Sequence, residues 1–250
     1  APTLTPEEKL HVIALVIEES AGRVPVLAGA GGDDTRETIA LIRDIEKLGA
    51  QGILSITPYY NKPTPEGLYQ HFKAIAESTS LPIVLYNAPG RTGVNLDVAT
   101  VARLSAVPGI VGVKEASGNI TQIAEIYAAV PDTFLVISGD DALTTAVMAV
   151  GGRGVISVVS NEAPAEMAQI VELCERGDYA TARKLFTWLL PLCQVNFVET
   201  NPIPVKAAMA AMGLMEETYR LPLVPPSAAA RERILRVLQH LRFLGAAARA

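Results

Sequence analysis

Two hydrophobic periods alternate along the chain. Short runs of aliphatic residues give way repeatedly to longer stretches with helical spacing. The runs at 24–28, 52–56, 83–86, 110–114, 134–138 and 154–158 predict six strands. They are nearly all apolar, as parallel strands covered on both faces should be. The stretches between them carry helix start signals. Thr5, Pro6 and Glu8 form a capping box ahead of Leu10, Ile13, Val16 and Ile17. Asp34 with Glu37, Thr64 with Pro65, and Asn119 with Gln122 open further helices, and Asp141 is a candidate cap for the next. Beyond Asn161 the pattern is helical to the end, over 164–176, 179–198, 204–212 and 227–244.

Repeated strand–helix units imply a parallel sheet, either open or closed into a barrel. No G-x-G-x-x-G follows the first strand, which weakens a dinucleotide-binding reading. Polar residues stand at the C-terminal ends of successive strands, where barrel active sites are built. Both features favour the barrel. A closed barrel of this type needs eight strands, and six are predicted.

Composition narrows the function classes. Of 250 residues, 50% are hydrophobic and 19% charged, enough for one large core or two modest ones. The net charge of −5, without a Lys/Arg run, gives no reason to expect nucleic acid or an anionic membrane as partner. No apolar run reaches the ~20 residues of a membrane span. No signal peptide is visible, so a cytoplasmic location is expected. The chain begins with Ala rather than Met, so a natural start further upstream is expected. Cys174 and Cys193 have neither CxxC spacing nor a His partner, and read as reduced core thiols. His11, His71 and His240 fall in predicted helices, where surface or core roles outweigh metal binding.

The chemically capable residues cluster at strand ends. Lys114 closes the apolar run at 110–113. Burying an ammonium is costly unless it is paired or neutral. A neutral amine is what attack on a carbonyl requires, so the position suits a Schiff-base lysine. The alternative is a lysine whose head reaches solvent at the rim. Tyr86 ends another run and could relay protons, and Arg91 in the following Gly/Pro-bounded loop could take a carboxylate. A rim tyrosine and a solvated loop charge are the plain alternatives. Tyr59 and Tyr60 follow the run at 52–56 and could serve a proton relay or a subunit interface, with packing as the default reading. Gly139-Asp140-Asp141 reads first as a tight turn and helix cap, and second as a backbone contact to substrate.

Six motifs in order, TPYYNKP (57–63), YNAPGRTG (86–93), GVKEASGN (112–119), SGDD (138–141), GVISV (154–158) and NPIPVK (201–206), resemble the dihydrodipicolinate synthase and N-acetylneuraminate lyase family of pyruvate-dependent class I aldolases. The resemblance spans residues 1 to about 244. The arginine at 91 and the GVKEASGN context resemble the synthase branch more than the sialic-acid lyases. The resemblance implies a Schiff-base lyase condensing pyruvate with L-aspartate 4-semialdehyde in lysine biosynthesis. It implies imine formation on Lys114, proton relay through Tyr86, and carboxylate binding by Arg91. Tyr60 resembles a catalytic tyrosine of the same relay that reaches into a neighbouring subunit's site, which implies a homo-oligomer, a dimer or a dimer of dimers. Gly139 and Ile156 match positions that line the pyruvate pocket. Asp33, Glu37 and Tyr59 resemble parts of a lysine-effector site. Neither metal nor organic cofactor is implied.

The family places a strand, a helix and a second strand ahead of the stretch that residues 1–4 resemble. The second of those strands carries threonines of the proton relay. The implied fold is therefore α/β, a (β/α)8 TIM barrel lacking its first two strands and first helix (1–177), followed by a C-terminal helical domain (178–250). Open sheet edges invite pairing with other chains, so reduced solubility or stability is expected. Lys9 should repel a lysine effector, so feedback by lysine is expected to be weak. Two other readings stand beside the leading one: a sibling aldolase acting on a sugar acid or another 2-oxo acid, and an inactive fragment that keeps only the subunit interface.

Overall fold

A computed structural model describes residues 2–244. The chain forms two compact units. One runs up to Gly139 and takes in Val150–Arg153; the other comprises Asp140–Ala149 and the chain from Gly154 on. The expected helical domain at 178–250 falls in the second, and its last six residues lie outside the described residues, as does Ala1.

The first unit holds β1 (Leu27–Gly29), β2 (Gly52–Ile56), β3 (Ile83–Asn87), β4 (Ile110–Glu115) and β5 (Leu135–Ser138). They pair in sequence order, and every pair is parallel. The connecting helices are α1 (Pro6–Ser20), α2 (Thr35–Leu48), α3 (Pro65–Glu77), the single turn α4 (Pro89–Thr92), α5 (Val98–Ser105) and α6 (Ile120–Ala129). Ile53, Ile83, Leu85 and Val113 of the sheet are fully buried, as are Ile42, Ile45, Leu68, Phe72, Ile75 and Leu104 of the helices. Each such side chain contributes roughly 1.5–3 kcal/mol on burial.

The second unit is helical: α7 (Thr144–Ala149), α8 (Pro164–Glu175), α9 (Tyr179–Val195), α10 (Ile203–Ala211) and α11 (Ala228–His240). Its core joins Met167, Ile170, Leu189, Leu192, Cys193, Ala208, Ile234 and Leu238. Both cysteines are free and buried, Cys174 beside Met148 and Ala182.

Several start signals act as the sequence predicts. The Thr5–Glu8 box closes in both directions. Asp34 accepts from the N–H groups of Arg36 and Glu37, Thr64 from that of Gly67, and Asn119 from those of Thr121 and Gln122.

Four details differ. The run at 154–158 forms no strand: only Val155 makes an isolated bridge. Gly154 has φ 150°, and the Val158 and Val159 N–H groups donate to Asp141 Oδ2 at 2.9 and 3.2 Å. Those donors are thereby withdrawn from any ladder, and a 3-10 turn follows at Val159–Asn161. Asp141 therefore serves that turn, and the cap of the 3-10 turn Asp141–Leu143 is Asp140. The expected loop after β3 begins with α4, which Gly93 ends in a left-handed conformation (φ 70°). The apolar stripe of α1 is only partly covered: Leu10, Ile13 and Ile17 are half-buried, and Val16 is 49% exposed.

Candidate active site

β3 and β4 carry the candidate nucleophile and its neighbour. Tyr86 and Lys114 are direct register partners on these two parallel strands. Lys114 Nζ lies 4.2 Å from the centroid of the Tyr86 ring, within cation–π range. Both are half-buried. Burial pushes the Tyr86 phenol above its ordinary value of 10, and the Arg91 guanidinium works against that. The phenol is therefore a neutral hydroxyl at physiological pH, able to give a proton and take one back.

Arg91 is exposed on α4, one residue before Thr92, whose buried hydroxyl bonds the Ala88 carbonyl at 3.2 Å and accepts from Thr57 Oγ1 at 3.3 Å. These bonds fasten the turn that carries the guanidinium to the end of β2. Gly139 closes the site beside Lys114. A Cβ there would meet Ala116 Cβ at 2.6 Å and Lys114 Cε at 3.1 Å, so only glycine fits so close to the lysine. Ile156 belongs to the second unit, half-buried between Val155 and the Val159–Asn161 turn.

Tyr86 also borders a cavity of about 460 Å³ lined by Lys9, Ile13, Leu54, Ile56 and Tyr59. Tyr59 is 42% exposed and Tyr60 90%, so the packing expected of the pair does not occur for Tyr60 within this chain. Tyr60 has φ 65°, which is uncommon for a bulky residue. Asp33 and Glu37 are exposed, and the Asp33 carbonyl accepts from Asn61 Nδ2 at 2.8 Å. His71 is buried on α3 with Nδ1 2.8 Å from Thr35 Oγ1, while His11 and His240 are exposed. Among the described residues no three His, Cys, Asp or Glu side chains group as metal ligands. No helix among them is long and apolar enough to cross a membrane.

The sequence pattern of the Dihydrodipicolinate synthetase family matches residues 1–241. The chain belongs to this family. A curated relative, the 4-hydroxy-tetrahydrodipicolinate synthase of Koribacter versatilis, is 51% identical over 225 residues, 90% of this chain and 75% of its own length. The solved dihydrodipicolinate synthase of Thermotoga maritima aligns with a TM-score of 0.96 at 45% identity, covering 97% of this chain and 84% of that one. The chloride-inhibited enzyme of Acinetobacter baumannii, complexed with pyruvate, aligns with a TM-score of 0.95 at 42% identity, covering 97% and 84%. The parallel sheet of this dihydrodipicolinate synthetase family member is thus the α/β arrangement of its solved relatives.

Two polar residues of this family member are not singled out by the sequence pattern. Asn87 and Glu115 follow Tyr86 and Lys114 directly, are almost wholly buried, and are hydrogen-bonded at 2.9 Å. The usable signal is the acid itself, since a glutamate is seldom buried at the end of an apolar strand.

Proposed function

We propose that this chain is a lyase that condenses pyruvate with L-aspartate 4-semialdehyde, giving 4-hydroxy-tetrahydrodipicolinate on the route to diaminopimelate and lysine. The observation that carries the reading is the Tyr86–Lys114 rung, an amine 4.2 Å from a half-buried phenol ring at the C-terminal end of a parallel sheet. Lys114 Nζ attacks the carbonyl carbon of pyruvate. The carbinolamine loses water with a proton supplied through Tyr86, leaving an imine. The imine withdraws electrons from C2, so the adjacent methyl loses a proton and its carbon adds to the aldehyde. Attack of the semialdehyde's amine on C2 then expels Lys114 and closes the ring.

In this reading Arg91 receives the carboxylate of the second substrate, a pairing that suits a planar guanidinium. The covalent imine is itself the electron sink, so neither metal nor organic cofactor takes part. Gly139, beside Lys114, belongs to the pyruvate pocket. The sheet of the first unit and its helices are strand–helix repeats of a (β/α)8 barrel. A homo-oligomer is proposed, with Tyr60 reaching toward the neighbouring subunit; its 90% exposure supports that role. A cytoplasmic location suits such a biosynthetic enzyme. Asp33, Glu37 and Tyr59 form part of an effector site for lysine, with the Lys9 ammonium, on the same cavity as Tyr59, opposing a cationic ligand.

Borohydride trapping with pyruvate, followed by mass mapping, tests the reading. The expected result is one adduct, on Lys114. No adduct, or adducts spread over surface lysines, would overturn it.

A further inference from the structure

The Asn87–Glu115 rung lies one residue beyond the Tyr86–Lys114 rung, on the opposite face of the sheet. Glu115 is 1% exposed and Asn87 is fully buried. Among the described residues the Glu115 carboxyl takes its bonds from three neutral N–H donors. Ser117 N donates to Oε1 at 2.6 Å, and Asn87 Nδ2 and Gln122 Nε2 donate to Oε2 at 2.9 and 3.2 Å. The donors come from the end of β3, the turn after β4, and the first turn of α6.

The network extends further. Asn87 Nδ2 also donates to Asn95 Oδ1 at 2.9 Å, and Asn87 Oδ1 accepts from Leu96 N at 2.9 Å. Asn95 Nδ2 donates to Gln122 Oε1 at 2.8 Å, while Gln122 Nε2 returns a bond to Asn95 Oδ1 at 3.2 Å. Residues 95 and 96 follow α4, which carries Arg91. The backbone joins in: Ala116 N donates to the Asn87 carbonyl at 2.9 Å, and Gly139 N to the Glu115 carbonyl at 2.7 Å.

We propose that Glu115 is a positioning residue for the reaction, whose buried carboxyl locks the ends of β3 and β4 and the segment after α4, and so holds Tyr86, Lys114 and Arg91 in reacting geometry. An acid buried without a cationic partner is an expensive way to join strands, since apolar side chains would do so at lower cost. What it adds is direction: both oxygens accept, so three donors converge on one point. Support of this kind fixes a reacting pair within a fraction of an ångström. The proposal rests on the imine reading of Lys114.

The test is E115Q. A carboxamide has one acceptor, so its NH₂ must face at least one of the three donors. The expected result is a kcat lower by about 10- to 100-fold, the loss that a misplacement near 1 Å produces. The KM for pyruvate should stay within about three-fold, because binding is little altered. Borohydride adduct formation on Lys114 should slow by a similar factor while reaching the same final extent. Q122M, which removes one donor and leaves the acid, should lower kcat by about three- to ten-fold and keeps the test open if E115Q fails to fold.

In the exchange N87D/E115Q the amide donates to the acid in the reverse direction. It should recover part of the rate that E115Q loses. A kcat within two-fold of the parent for E115Q, or a loss that disappears when rates are scaled to folded protein, would overturn the positioning role. So would a Q122M kcat equal to that of the parent. If the parent chain forms no Lys114 adduct, the imine reading fails first and this role with it. A normal parent adduct with an unaltered E115Q rate sinks the positioning role alone.

Discussion

Tyr86 and Lys114 face each other across one rung of a parallel ladder, with the lysine nitrogen 4.2 Å from the ring centroid. Strand pairing sets this distance, so it survives changes in the loops. K114M should therefore abolish the pyruvate adduct without altering the circular dichroism spectrum. Y86F should still form it, but slower by about 10²-fold, the usual worth of a proton-transfer group. An unaltered Y86F rate in stopped-flow trapping would remove Tyr86 from the relay.

Arg91 stands on a turn fastened by Thr92 and Thr57. R91A should raise the KM for the aldehyde substrate by about ten-fold or more, with a smaller change for pyruvate, as expected when one charge-assisted carboxylate contact is lost. Steady-state kinetics with each substrate varied in turn would check this. Equal effects on both substrates would assign Arg91 to the fold instead.

Burial pushes Glu162 up from 4.5 to about 8, although Asn196 donates to it at 2.5 Å. The folded state then holds a proton that the unfolded chain releases above 4.5. Stability should accordingly fall as pH rises from 4.5 to about 8, and level off beyond. Urea unfolding across this range should show the decline in the parent and a flatter profile in E162Q.

His71 has the opposite sign. Burial lowers it from 6.5 to about 4, so the unfolded chain binds a proton that the folded chain refuses. Its contribution is full above 6.5 and is lost as pH falls toward 4. H71Q should lose less stability than the parent over that acidic interval, measured by the same unfolding series.

Val12, Leu15 and Val16 on α1, with Val24 and Leu27 at the first strand, expose apolar surface of 40–61% each. Exposed apolar side chains favour association. Light scattering should rise with concentration for the parent chain, and the double change L15K/V16E should reduce it. Equal scattering by both would place the association elsewhere.

Much of the fold is legible locally. Apolar runs flanked by helical stripes predict parallel strands, and Thr5, Thr64 and Asn119 cap the helices that their positions predict. Gln122 shows where local pattern stops being informative. Its spacing from Asn119 suggests a capping box, but its side chain turns to Asn95 and Glu115 instead. α5, with its cap Asp97, stands outside the predicted elements, because the Gly/Pro-rich motif before it points to a loop.

The sequence by itself determined the order of strands and helices, the placing of Lys114 and Tyr86 at strand ends, and the burial of both cysteines. These follow from periodicity and polarity, which act over a few residues. Tertiary structure alone decided that 154–158 would not be a strand: the acceptor that captures the Val158 N–H at its end, Asp141, lies 17 residues away. It also decided that Glu115 would gather donors from three segments. Both depend on a buried carboxyl seeking the nearest N–H groups in space, and that distance has no counterpart along the chain.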